Sequence, residues 1–224
     1  MPMKFLLNKE ALKRDGKVRV AGWAENIRLM GKIKFISLRD TSGYIQVTLK
    51  QGEVSEELFE LVDSITKESV LIVEGSLQRN KIAPGGKELI PSKITLVSKS
   101  KQPVPLNISG KVESDLSSRL DWRFLDLRMH QVSAIFKVQS VISRAFREFF
   151  FNKGFVEIQP PCVISSASEG GANLYEVKYF EKKAFLAQSP QLYKQMCIAA
   201  GLNKVFMTVP VWRAEPHQTI RHLN

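Results

Sequence analysis

Cysteine is scarce: Cys162 and Cys197 are the only two in 224 residues. They lie far apart and in no C-x-x-C spacing, which excludes a disulfide framework and a thiolate zinc site. The three histidines, His130, His217 and His222, form no ligand pattern either, so no metal site is expected within this chain. No apolar run approaches membrane-spanning length, and Phe5-Leu6-Leu7 meets charge at once, so no secretory signal is expected. Internal repeats and low-complexity tracts are absent. Acidic side chains are also in deficit, 22 Asp and Glu against 33 Lys and Arg, leaving a net charge of +11. That excess is spread over both halves rather than gathered in a tail, which suits folded surfaces that meet a polyanion such as nucleic acid or nucleotides. The expectation is a soluble, cytoplasmic, reduced protein with no membrane partner.

The densest chemistry is in the last part of the chain. Three polar clusters recur there: Ser166-Ala167-Ser168-Glu169-Gly170-Gly171, then Gln188-Ser189-Pro190-Gln191-Leu192-Tyr193-Lys194-Gln195, then Arg213-Ala214-Glu215 through Arg221-His222-Leu223. An acid beside hinge-like glycines, a lysine among amides and two arginines suit a ligand with an ammonium and several anionic groups. The chain stops at Asn224 inside the third cluster, so part of the site is expected to lie beyond it.

The first half reads as strands. Residues 18–23, 33–39 and 44–49 alternate in polarity, the last two joined by the turn signal Asp40-Thr41-Ser42-Gly43. Residues 53–65 change period, placing Leu58, Leu61, Val62 and Ile65 on one helical face. Strands at 70–75 and 88–98 follow. Three strands, a helix and two strands is the order of an OB-fold barrel, which binds single-stranded nucleic acid in a basic groove with an aromatic stacking platform. Phe35 is the candidate platform, with Arg28, Lys32 and Gln46 expected nearby. The pattern alone leaves open whether Phe35 faces the core instead.

Residues 102–130 read as linker and hinge, dividing an N-terminal domain at 1–101 from a second at 131–224. Leu120, Trp122, Phe124, Leu125 and Leu127 give residues 116–128 the character of a short amphipathic docking segment. The second domain opens on a long helix over 131–152, with Ile135, Val138, Ile142, Ala145, Phe146 and Phe149 at helical spacing. Gly154 suits a left-handed cap. Strands are expected at 155–158, 174–179, 184–187 and 205–212. A helix over 190–200 is expected to open with Pro190 at its first position.

Gly154-Phe155-Val156-Glu157-Ile158-Gln159-Pro160-Pro161 resembles motif 1 of class II aminoacyl-tRNA synthetases. Val211-Trp212-Arg213-Ala214-Glu215, with Thr219 and Arg221-His222-Leu223, resembles the opening of motif 2. Arg119 and Arg123-Phe124-Leu125-Asp126-Leu127-Arg128 resemble the hinge of the subgroup with an N-terminal OB domain. The Ser-Glu-Gly-Gly and Gln-Ser-Pro-Gln-Leu-Tyr-Lys-Gln strings are most similar to the aspartyl-tRNA synthetases of the archaeal and eukaryotic cytosolic branch. Trp212 departs from the Phe usual there, and Pro160 from a common Thr. The implied fold is α+β: a five-stranded OB-fold β-barrel followed by the first part of a class II antiparallel-sheet catalytic domain, holding motif 1 and the first half of motif 2.

The resemblance implies an aspartate–tRNA ligase that activates L-aspartate with ATP and transfers it to the 3′ end of tRNA-Asp, and possibly also charges tRNA-Asn. Arg213 would span the aspartate carboxylate and the α-phosphate, a task suited to a bidentate guanidinium. Glu215 would accept from adenine, and Arg221, His222 and Leu223 would belong to the ATP-holding loop. Glu169, Ser189 and Gln191 would surround the α-amino group of aspartate, and Lys194 would hold its side-chain carboxylate. Arg28, Phe35 and Gln46 would bind the central anticodon base. Mg2+ would serve the full-length enzyme through ligands beyond residue 224, and a homodimer is implied by motif 1. The chain as given is expected to be inactive. Two alternatives stand beside this reading: a non-catalytic tRNA-binding OB module with a synthetase remnant, and an asparagine–tRNA ligase.

Overall fold

The computed structural model describes residues 3–110, 114–166 and 174–214. It divides into two compact units, Met1–Val132 and Ser133–Asn224. The first unit opens with β1 (Phe5–Leu6) and α1 (Asn8–Ala11). Neither has enough residues to leave a periodic signal. The expected series follows as β2 (Gly16–Met30), β3 (Ile33–Arg39), β4 (Tyr44–Lys50), α2 (Glu56–Ser64), β5 (Val70–Arg79) and β6 (Lys87–Ser98).

β2 is a double-length strand that serves two partners. Its first half pairs antiparallel with β5, from Gly16↔Leu77 to Trp23↔Val70, and its second half with β3, from Trp23↔Arg39 to Met30↔Ile33. β3 pairs with β4, β4 runs parallel to β6 at Gln46↔Glu88, and β6 returns to β5. The five strands therefore pair in a circuit, the topology of an OB-fold barrel. Gly75 is required where β5 passes closest to β6, because a Cβ there would lie 2.1 Å from the Ile90 carbonyl oxygen.

Alternation fills the interior. Val18 and Val20, Ile36 and Leu38, Ile45, Val47 and Leu49, Leu71 and Val73 are fully or almost fully buried in one cluster. α2 adds Val62 and Ile65 to it, with Leu58 and Leu61 packed alongside. Ser55 caps α2, its side chain accepting from the Leu58 N–H. The β3–β4 turn is built as the sequence implies. Asp40 Oδ1 accepts from the Ser42 and Gly43 amides at 2.7 and 3.0 Å, and Oδ2 from the Asn8 amide at 2.6 Å. Fully buried Asn8 thereby locks α1 onto the turn.

The linker and hinge complete this unit. α3 (Leu116–Asp121) and α4 (Arg123–Asp126) follow Asp115, which caps α3 through the Ser118 amide. Leu125 packs with Leu106 and Ile108 in a small second core, while Leu120, Trp122, Phe124 and Leu127 stay exposed. Fully buried Asp126 is neutralised by Arg119 at 2.7 Å and by Arg123.

The long helix α5 (His130–Asn152) ends before Gly154, whose φ of +75° is the left-handed conformation glycine adopts freely. Next come β7 (Val156–Glu157), β8 (Val163–Ile164), β9 (Glu176–Tyr179), β10 (Lys182–Leu186), α6 (Gln191–Ala199) and β11 (Val205–Phe206). β10 pairs antiparallel with β8 and β9, and β11 runs parallel to β7. Phe150 stacks on Phe206 at 4.9 Å and meets Phe155 edge-on, fastening the end of α5 to this strand pair. Two expectations are corrected, and β8 is an addition to them. The strand expected over 205–212 is two residues long, because Pro210 has no amide to donate and the Trp212 N–H turns instead to the Ala187 carbonyl at 3.0 Å. Pro190 is the cap of α6 rather than its first residue. β8 lacks any alternation by which two residues would announce a strand.

Candidate nucleic-acid face and amino-acid site

Alternation of burial along β3 shows which way Phe35 points. Lys34, Ile36 and Leu38 turn inward and are buried, whereas Ile33, Phe35 and Ser37 lie on the opposite face and are only half-buried. Register then assembles the face in rows. Arg28, Phe35 and Thr48 stand side by side across β2, β3 and β4, and Asn26, Ser37 and Gln46 form the next row. Two residues of strand separate the rows, about 7 Å, a spacing a single-stranded chain can follow from base to base. Arg28, Phe35 and Gln46, singled out from the sequence, thus share one surface. The core alternative for Phe35 is excluded.

Two residues of this face had no sequence signal. Glu88, 5% exposed, reaches the Gln46 row from β6 and accepts from Thr48 Oγ1 at 2.6 Å and from Gln46 Nε2 at 3.4 Å. Gln46 also donates to Thr48 at 3.3 Å. The Gln46 amide is therefore held in one orientation by a buried carboxylate. Only the parallel β4–β6 pairing makes this contact, and no local pattern foretells it. Lys34 is not part of the face. Its ammonium turns inward to the Phe59 carbonyl at 2.8 Å and Asp63 at 2.7 Å, over the Phe59 ring.

At the far end of the same face lies a charged knot. Glu68 is buried and holds a left-handed backbone, φ +64°. Its carboxylate accepts from Arg39 Nη2 at 2.9 and 3.0 Å and from Arg128 Nη1 at 2.8 Å. Both guanidiniums lie over the Trp23 ring, at 5.2 and 4.6 Å. Glu25 stands 3.7 Å from Arg39 Nε and accepts from the Tyr44 hydroxyl at 3.4 Å. Burial pushes the Glu25 carboxyl up against the pull of Arg39.

In the second unit, Ala187 joins the segments that carry the residues expected to bind the amino acid. Its amide donates to the Cys162 carbonyl at 2.9 Å and its carbonyl accepts from Trp212 at 3.0 Å. This brings the segment that ends in Arg213 against the strand end that leads into Ser189. Ser189 Oγ accepts from the Gln191 amide at 3.3 Å, and Pro160, Pro161, Tyr193 and Val211 pack about it. Lys194 follows in the first turns of α6, half-buried, and its side chain has no ion-pair partner among the described residues. Arg213 is exposed. Glu169, Glu215, Arg221, His222 and Leu223 lie outside the described residues. Arg147 braces the arrangement from α5, donating to Glu157 at 3.0 Å and to Thr208 at 2.7 Å. The Thr208 hydroxyl, then Arg147, hold the Glu157 carboxyl below the usual carboxylate range. Among the described residues no group of three or more His, Cys, Asp or Glu offers a metal site, and no helix is long and apolar enough to cross a membrane.

Residues 18–97 match the OB-fold nucleic acid binding domain, and residues 115–224 match the class II tRNA synthetases (D, K and N). The chain is 52% identical over 213 residues to the aspartate–tRNA(Asp/Asn) ligase of Methanopyrus kandleri, covering 95% of this chain and 49% of that protein. It is 50% identical over 208 residues to the aspartate–tRNA(Asp) ligase of Pyrococcus horikoshii, covering 93% and 48%. The asparaginyl-tRNA synthetase of Pyrococcus horikoshii, solved with asparaginyl-adenylate, superposes with a TM-score of 0.89 at 36% identity, over 99% of this chain and 51% of that one. The chain spans about half the length of the curated relatives it matches. With its OB domain placed ahead of the opening of a synthetase domain, the chain belongs to the class II tRNA synthetases of the D, K and N group.

Proposed function

We propose that this chain supplies the anticodon-reading and amino-acid-recognising part of an aspartate–tRNA ligase, which joins L-aspartate to ATP and passes it to tRNA-Asp. The observation that carries the reading is the outward turn of Phe35 beside Arg28, one row from a Gln46 amide that Glu88 already orients. An aromatic plane, a cation for the phosphate and a polar side chain whose orientation is fixed beforehand are what a splayed-out base requires. Binding of the tRNA-Asp anticodon stem-loop to the chain, with loss of affinity on changing its central base, is the expected result. Equal affinity for every loop sequence would overturn the reading.

For the amino acid, Lys194 selects. An ammonium with no ion-pair partner among the described residues favours the second carboxylate of aspartate, and would face an unpaired amide were asparagine bound. Ser189 and Gln191 at the start of α6 would position the substrate backbone. Arg213 would bridge the aspartate carboxylate and the α-phosphate of ATP, offsetting like charges as the carboxylate attacks. Glu169, Glu215, Arg221, His222 and Leu223 are assigned to aspartate and ATP on family likeness alone. The described residues offer no ligand set for the Mg2+ expected of the whole enzyme. Lys194→Leu in the whole enzyme is expected to abolish aspartate-dependent pyrophosphate exchange, and exchange retained at unchanged aspartate KM would remove Lys194 from the site.

Pairing with a second copy is proposed through α5. Ile135, Val138, Ile142 and Phe149 project from one side of the helix, and Ile142 is 63% exposed, so this stripe is not the core of the described chain. Sedimentation equilibrium should show self-association that Ile142→Glu abolishes, and a monomer at every concentration would overturn the assignment.

A further inference from the structure

We propose that Glu68 is a positioning residue that couples the RNA-binding face to the hinge, so that occupation of the face is felt at residues 119–130 through Arg39, Glu68 and Arg128. The inference rests on the anticodon-reading assignment above and adds a route out of that site.

Three elements converge on this one carboxylate. Arg39 is the last residue of β3, four positions after Phe35 on the same face. The Glu68 backbone is fixed to β2 beside its irregularity: its amide donates to the Ala24 carbonyl at 2.8 Å, and the Ala24 amide donates to Ser69 at 2.9 Å. Between Ala24 and Asn26 the register shifts, and this bulge sets the outward phase of Asn26 and Arg28. Arg128, on the hinge just past α4, supplies the third contact. The ends of both strands that present the face, and the segment that leaves the barrel, thus meet at Glu68.

Two features argue for more than a staple. A glutamate held in the left-handed region is strained, and such strain persists where surrounding contacts over-determine the residue. The contacts are also incomplete: Arg39 Nε is buried and makes no hydrogen bond, with the Glu25 carboxylate 3.7 Å away. A second arrangement is required, in which Arg39 Nε closes the 3.7 Å gap to Glu25 of the bulge. A base drawn against β2 and β3 would bias that choice, and Arg128, stacked on the same Trp23 ring, would respond. Coupling requires an element with two arrangements that both sites bias, and Arg39 between Glu25 and Glu68 is that element.

The test is amide hydrogen exchange of the chain with and without the tRNA-Asp anticodon stem-loop, an RNA without the arms that would shield the hinge directly. In the parent chain, saturating RNA is expected to slow exchange in residues 119–130 by about fivefold or more, the lower end of typical coupling between sites. In Glu68→Gln, and separately in the partly exposed Arg128→Gln, RNA is expected to bind within about threefold of the parent while the slowing at the hinge is lost. A merely structural Glu68 would leave hinge exchange unmoved by RNA in the parent, and that result overturns the proposal. Full slowing retained in both variants also overturns it. Failure of the stem-loop to bind the parent chain at all would instead bring down the anticodon-reading assignment, and the coupling with it.

Discussion

Phe35→Ala should cost the chain about one to two orders of magnitude in affinity for the anticodon stem-loop while leaving its thermal unfolding almost unchanged. The size follows from stacking, worth about 1–3 kcal/mol per base by alanine substitution. The separation of effects follows from the face. Phe35 stands on the outer side of β3 and is absent from the core cluster, so its removal empties no cavity. Fluorescence anisotropy with labelled stem-loop, read beside a melting curve, checks both halves. A large fall in melting temperature with unchanged affinity would mean that the ring packs rather than stacks.

One position further along the strand, the expected result reverses. Ile36→Ala should destabilise the barrel by about 2–5 kcal/mol, the range for deleting a fully buried aliphatic side chain, because Ile36 is 0% exposed within the cluster shared by Leu38, Ile45 and Val47. For a domain of this size that corresponds to roughly 4–8 °C in melting temperature per kcal/mol. RNA affinity of the folded fraction should stay near that of the parent, since the side chain points away from the face. Denaturant titration gives the first quantity, and stem-loop binding well below the transition gives the second. The two substitutions form a reciprocal pair, and only the observed phase of β3 predicts opposite outcomes at adjacent residues.

That phase marks the limit of what the sequence alone discloses. Alternation in residues 33–39 announces a strand, but Ile33, Phe35 and Leu38 are all apolar, so the pattern does not say which set is inward. Burial in the folded barrel decides it: Lys34, Ile36 and Leu38 are enclosed, while Phe35 and Ser37, across from Thr48 and Gln46, are not. The helices are legible because their signals are local. Val62 and Ile65 face the core at the expected spacing, and Gly154 ends α5 where glycine is needed. Glu88 and Glu68 are not legible, because each acts on residues some 30 to 60 positions away in the chain, brought near only by strand pairing. In the second unit, Ser189, Gln191 and Lys194 stand out as a polar string, yet the support beneath them is the Ala187 backbone, which joins Cys162 to Trp212 and leaves no trace in side-chain pattern.

The double duty of β2 has a consequence for how the chain emerges during synthesis. Its second half finds β3 within a few residues, and that hairpin can close as soon as residue 39 has been made. Its first half touches the short β1 at Arg19 and Val20 on one edge, but its other edge waits for β5, since Val18 and Val20 pair with Gly75 and Val73. For the interval in which α2 and the start of β5 are being added, the β5 edge of that half-strand carries unmatched amides, and its apolar side chains stay open to solvent. The α1 segment, seated on the β3–β4 turn through Asn8, is already in place on that side. A nascent barrel is thus a capped three-strand sheet waiting for its closing strand, and its vulnerable moment is set by the distance along the chain from Val20 to Val73.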